Sequence, residues 1–73
     1  MKIRLIGYLS QKLGYRERTL ELKKGKKLKD VLELPKDVDP TNLIILINGK
    51  PGNLETEIKD GDHVVIMPMT GGG

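Results

Sequence analysis

Two stretches of this chain, Leu43-Ile44-Ile45-Leu46-Ile47 and Val64-Val65-Ile66-Met67, are apolar at every position. Side chains alternate between the faces of a strand, so both stretches are apolar on both sides, and such strands are normally covered on both sides. Only one segment carries a helical stripe able to do the covering. Leu28, Val31 and Leu32 recur at i, i+3 and i+4, and Pro35 stops the pattern after about two turns, because the residue before a proline resists the helical conformation. One short helix covers one face of a sheet. If Val64 and Ile66 point to the core beneath it, Val65 and Met67 point outward, joined by Ile6 and by alternate members of Leu43 to Ile47. The result is an exposed apolar patch, the mark of a protein interface. Closure of a homodimer, or simple β-propensity, would give the same pattern.

The remaining segments fill in around these strands. Met1, Ile3 and Leu5 alternate with Lys2 and Arg4, the period of a half-buried strand that sets Ile6 on the outer face. Ser10 to Gly14 reads as a turn with Leu13 tucked under the domain. Arg16 to Leu22, with Leu20 and Leu22 alternating against Thr19 and Glu21, reads as a second strand returning beside the first. Lys36 to Asn42 is a polar connection, and Asn48-Gly49 is a strong hairpin turn. Asn53 to Ile58 is expected as a short edge strand, and Asp60-Gly61-Asp62 as the tight turn before the last strand. The order ββαβ(β)β resembles the β-grasp: an α+β, ubiquitin-like fold with a mixed sheet of four to five strands and one short helix on one face. Seventy-three residues make one such domain, expected over residues 1–68 and followed by a glycine tail over residues 69–73, with a stability of roughly 4–11 kcal/mol.

Composition removes several chemistries. Without cysteine there is no disulfide scaffold, thiolate zinc site or cysteine nucleophile, and the single His63 makes neither a metal cluster nor a catalytic triad. No metal site and no catalytic residue of its own are expected. No long apolar segment or signal-peptide pattern is present, so the chain reads as a soluble cytoplasmic protein with no membrane partner. Met1 to Lys36 carries 11 basic and 4 acidic residues, whereas Asp37 to Gly73 carries 2 basic and 6 acidic ones. The lysines of Lys23 to Lys29 could face RNA or an acidic protein. Single-stranded RNA is usually gripped by aromatic platforms, and the only aromatics are Tyr8 and Tyr15, so nucleic acid ranks below protein partners.

After the last strand come Pro68, Met69, Thr70 and three glycines, Gly71, Gly72 and Gly73. Glycine lacks a Cβ, so such an arm fits a narrow channel where any side chain would clash. What it offers at its tip is a bare carboxylate, although a frayed or appended terminus looks the same. The closing segment Leu54 to Gly73, with its Asp60-Gly61-Asp62 turn, apolar strand, Pro68 and Gly72-Gly73, resembles the end of the MoaD/ThiS ubiquitin-like sulfur carriers. Lys2-Ile3-Arg4-Leu5, Lys12-Leu13-Gly14, Leu20-Glu21-Leu22 and Leu46-Ile47-Asn48-Gly49 resemble the molybdopterin-synthase small subunit. The resemblance implies that a partner adenylating enzyme uses Mg-ATP to convert the Gly73 carboxylate to an acyl-adenylate. A sulfur donor then displaces AMP to leave a thiocarboxylate. A large-subunit or thiazole-synthase-type acceptor would receive the sulfur, with Gly71 and Gly72 threading its channel and Ile6, Val65, Met67, Pro68 and Met69 docking the partners. No cofactor is expected on the chain itself. A third glycine, His63 in place of a frequent acidic residue, Met69 in place of a second proline and a short helix depart from the family pattern. They leave the branch open among molybdopterin, thiamine and tRNA thiolation. The same tail could instead be joined to target lysines as a protein modifier, and the lysine turn keeps a β-grasp RNA-binding or regulatory module as a further rival.

Overall fold

The computed structural model describes residues 1–69. In chain order the elements are β1 (Lys2–Leu5), α1 (Leu9–Leu13), β2 (Glu17–Thr19), β3 (Lys26–Lys27), α2 (Leu28–Val31), a 3-10 turn (Pro40–Asn42), β4 (Leu43–Ile47), β5 (Lys50–Gly52), β6 (Glu57–Ile58) and β7 (His63–Pro68). Among the described residues these form a mixed five-stranded sheet in the order β2-β1-β7-β4-β5 and a separate two-stranded sheet of β3 and β6. The central pair, β1 and β7, is parallel, and the other pairs of the main sheet are antiparallel. The α+β, β-grasp expectation holds, with two short helices in place of one.

Register converts the sequence pattern into two faces. Ile3 pairs with Val64, Leu5 with Ile66, and Ile45 with Ile66, so one side of the three middle strands is a continuous apolar layer. All five side chains are buried, Ile3 and Ile66 completely. Leu9 of α1 and Leu28 of α2 are also fully enclosed and join the same cluster, together with Leu32, Val38 and Ile58. The second face is the one that the helices leave bare.

Three local expectations change. The segment read as a turn over Ser10 to Gly14 is the single-turn helix α1, which ends where Gly14 takes φ 85°. Leu9 and Leu13, one turn apart, face the core, but five residues are too few to show a period. The second helix is one turn rather than two: at Leu32 the backbone is already extended, φ −120° and ψ 113°, three residues ahead of Pro35. Its first turn is tied down by the Leu28 N–H on the Thr56 carbonyl and the Lys29 N–H on the Leu54 carbonyl, both 2.9 Å. Beyond it, Leu32 and Val38 close over the core in irregular conformation, so packing overrides the helical spacing. Finally, the sheet edge is β5, not Asn53 to Ile58. The Asn53 carboxamide oxygen accepts the Glu55 N–H (2.8 Å) and the Thr56 hydroxyl accepts the Asn53 N–H (3.0 Å), a turn that breaks the segment and leaves only β6, paired with β3.

Candidate functional site

The bare face of the sheet is built by strand alternation. Met67 pairs with Ile44 and Val65 with Leu46, while Arg4 pairs with Val65 on the other side. The Ile6 N–H donates to the Ile66 carbonyl at 2.9 Å, which carries the β1/β7 ladder one step further and gives Ile6 the parity of Arg4. Ile6 and Ile44 are 39% and 38% exposed, high for isoleucine, and Met69 at the end of the described chain is 54% exposed. Val65, Met67 and Leu46 are half-buried between them and take no part in the core. Ile6, Ile44, Val65, Met67 and Met69 therefore gather at the end of the sheet where β7 finishes. At the opposite end the same face turns polar: Lys2 pairs with His63, and its ammonium stands 3.6 Å from the Glu17 carboxylate.

Of the residues expected to meet partners, Ile6, Val65 and Met67 share this face, and Met69 adjoins it. Pro68 has the parity of Val64 and Ile66. It pairs with Leu43 and lies against Gly7, which adopts φ 67° and where a Cβ would come within 3.3 Å of the proline ring. Thr70 and the glycines Gly71, Gly72 and Gly73 lie outside the described residues. Ile44, Leu46 and Arg4 were not singled out from the sequence. Their place on the face follows from which strand lies beside which, and only the alternation within Leu43 to Ile47 hinted at it.

Some other surface groups are engaged with one another. Glu55 draws in Lys29 at 2.9 Å and Lys27 at 3.0 Å, and these ammonium groups hold its carboxyl below the usual carboxylate range. The Lys12 ammonium does the same to Asp37, with which it forms an ion pair. Two of the lysines of the basic turn thus already have a carboxylate. On the helical side, the Arg18 guanidinium stacks 4.7 Å from the Tyr15 ring centre, and burial pushes the Tyr15 hydroxyl up against the opposing pull of Arg18. Among the described residues no three His, Cys, Asp or Glu side chains gather as a metal site, and no helix is long and apolar enough to cross a membrane.

The Gly-Asp turn is fastened to the hairpin turn. Asp62 accepts the Lys59 N–H at 2.8 Å and the Asn48 amide at 3.0 Å, and the Asn48 side-chain oxygen accepts the His63 N–H at 2.9 Å. Asn48 itself sits at φ 53°, a left-handed conformation that asparagine tolerates better than most residues. The donors from Asn48 and Lys59 hold the Asp62 carboxyl below its ordinary value. A depressed carboxylate contributes its stability above the unfolded-state value and loses it as pH falls through the folded one. Stability should therefore be flat near neutrality and decline below about pH 4. Asn48→Ala, which loses these bonds and strains the backbone, is expected to cost about 1–2 kcal/mol in urea melts at pH 7 and to make the acid decline shallower. An unchanged acid profile would show that the Asn48 bond to Asp62 does not contribute.

Comparison with known proteins matches this architecture. The ThiS family model matches residues 3–73. Among solved structures, a Pyrococcus furiosus protein provisionally named molybdopterin converting factor, subunit 1, superposes with a TM-score of 0.66 at 25% identity, over 92% of this chain and 93% of that one. The match spans nearly all of both chains. With this sheet and a family match along nearly its whole length, the chain belongs to the ThiS family, in the MoaD/ThiS group, and its role in general terms is that of a sulfur carrier.

Proposed function

We propose that residues 1–68 serve as a docking head and residues 69–73 as the arm that carries the sulfur on Gly73. A free carboxylate resists nucleophilic attack, because it is already charged and would have to expel oxide. An adenylating enzyme removes that obstacle: the Gly73 carboxylate attacks the α-phosphate of Mg-ATP, pyrophosphate leaves, and a mixed anhydride with AMP is formed. A sulfur donor then attacks the Gly73 carbonyl carbon and AMP departs with the bonding pair, leaving a thiocarboxylate. That sulfur is a soft nucleophile suited to transfer onto a cofactor precursor or a tRNA base. Residues of this chain supply no acid or base to these steps; they supply recognition. Ile6, Val65, Met67 and Met69, with Ile44, form the apolar surface that a partner covers, and Pro68 sets the course of the chain beside them.

The observation that carries the reading is the family match running through the glycines to residue 73. The name of the Pyrococcus furiosus protein favours a large synthase subunit as sulfur acceptor, and hence molybdopterin formation over thiamine formation or tRNA thiolation. The test is intact-mass spectrometry after incubation with a MoaD/ThiS-type adenylating enzyme, Mg-ATP and sulfide. The expected product is heavier by the difference between sulfur and oxygen, and deletion of Gly73 abolishes it. An unmodified mass throughout, or a shift that survives the deletion, would refute the assignment.

A further inference from the structure

Where the described chain leaves the sheet, one rung of the ladder is half made. The Met69 N–H donates to the Asn42 carbonyl at 2.7 Å, one step beyond the pairing of Leu43 with Pro68. In a complete antiparallel rung of this kind the two residues exchange both bonds. Here the Asn42 N–H turns away and donates to the Asp39 carbonyl at 3.0 Å, inside the 3-10 turn. The Asp39 side chain holds that turn, its Oδ1 accepting the Thr41 N–H at 2.9 Å and the Thr41 hydroxyl at 2.7 Å. These two donors also keep the Asp39 carboxyl below its ordinary value, and so charged as an acceptor. Two positions further out in the same register stands Pro40, which has no N–H to give.

We propose that Asp39, Pro40 and Thr41 are positioning residues for the C-terminal arm: their turn presents the Asn42 carbonyl as a latch for Met69 and withholds the donors that further pairing would need. Met69 is thereby held at a fixed point at the edge of the apolar face. This inference rests on the reading of Gly73 as the group that a partner activates. Four residues follow Met69, a reach of about 14 Å when extended, so a partner docked on Ile6, Ile44 and Met67 finds the carboxylate within a small volume. With the latch undone the root of the arm would shift by a residue or more, and the local concentration of the tip in the partner's channel would fall.

The test uses the full chain, isotopically labelled, and three variants: Asp39→Ala, Asp39→Asn and Thr41→Val. The Met69 amide exchange rate is read by NMR, and KM and kcat by pyrophosphate release with a MoaD/ThiS-type adenylating enzyme and Mg-ATP. Asp39→Ala should speed Met69 exchange and raise KM by about threefold to tenfold, the scale of one exposed hydrogen bond, with kcat unchanged. Asp39→Asn keeps an acceptor oxygen and should restore both quantities, whereas Thr41→Val should fall between. Unchanged Met69 exchange in Asp39→Ala overturns the latch, as does freed exchange with unchanged KM, or a defect that Asn does not rescue. If the unmodified chain releases no pyrophosphate, the activation reading fails by itself, and the exchange rates still decide whether the turn holds Met69.

Discussion

Met67→Asp is expected to raise the KM of the chain for the proposed adenylating partner by about 30-fold or more, while its stability in urea falls by at most about 1 kcal/mol. Met67 stands on the bare face in register with Ile44 and beside Ile6, at the middle of the apolar row and one strand residue short of the arm's root. Apolar anchors at the centre of an interface commonly cost about 2 kcal/mol or more when lost, and a carboxylate buried there without a partner costs at least as much. In the free protein the same carboxylate meets water. The side chain has the parity opposite to Val64 and Ile66, so no core contact is lost, and the change should cost at most about 1 kcal/mol through strand propensity. Steady-state kinetics with the adenylating enzyme, paired with urea denaturation, separates the two effects. If KM stays put, the bare face is not where the partner sits; if stability collapses, Met67 belongs to the core after all.

The converse experiment strikes the other side of the same strand. Ile66→Ala is expected to remove about 2–5 kcal/mol in urea melts followed by circular dichroism, as for other buried isoleucines cut to alanine. Against a total of roughly 4–11 kcal/mol for a chain of this length, that brings many molecules close to unfolding at physiological temperature. Ile66 is 0% exposed and lies between Leu5 of β1 and Ile45 of β4, so neither flank can collapse into the space without shifting the sheet. Val65→Ala, one residue away, should cost far less. A loss below about 1 kcal/mol at Ile66 would contradict a rigid, close-packed layer beneath the helices.

That residues 65 and 66 fall on opposite faces, one of them bare, was legible in the sequence from two strands apolar on both sides and a single helical stripe; which of the two turns inward is fixed by the pairing with Leu5 and Ile45. Counting in twos sets Ile6 opposite Leu5 and groups Val65 with Met67, and the parallel register of β1 with β7 joins the two sets on one face. Ile44 and Leu46 could not be singled out in that way, since within an unbroken apolar run the parity is fixed only by the neighbour strand's register. The short elements were also hidden. In α1 and α2 a single turn carries too little periodicity to outweigh its flanks, and tertiary bonds from Leu28 and Lys29 to Thr56 and Leu54 decide where α2 stops. In the sequence the Asp39 turn reads only as a polar connection. Its meaning lies in the carbonyl of Asn42, and nothing in a side-chain pattern announces which backbone group will be offered to which strand.

The parallel pairing of β1 with β7 joins segments from nearly opposite ends of the chain, and it lies at the middle of the sheet rather than at its margin. Long-range pairing of this kind must meet the entropy of closing a large loop before contacts reward it, which slows folding. On a ribosome, β1 and β2 can meet early, but the slot between β1 and β4 stays empty until the last strand emerges from the tunnel. The same late strand leads directly into the arm. A nascent or misfolded molecule therefore lacks the finished apolar face and the fixed position of Met69, and under the proposed function an activating enzyme that reads the two together would screen its substrates for completed folding before spending ATP on them.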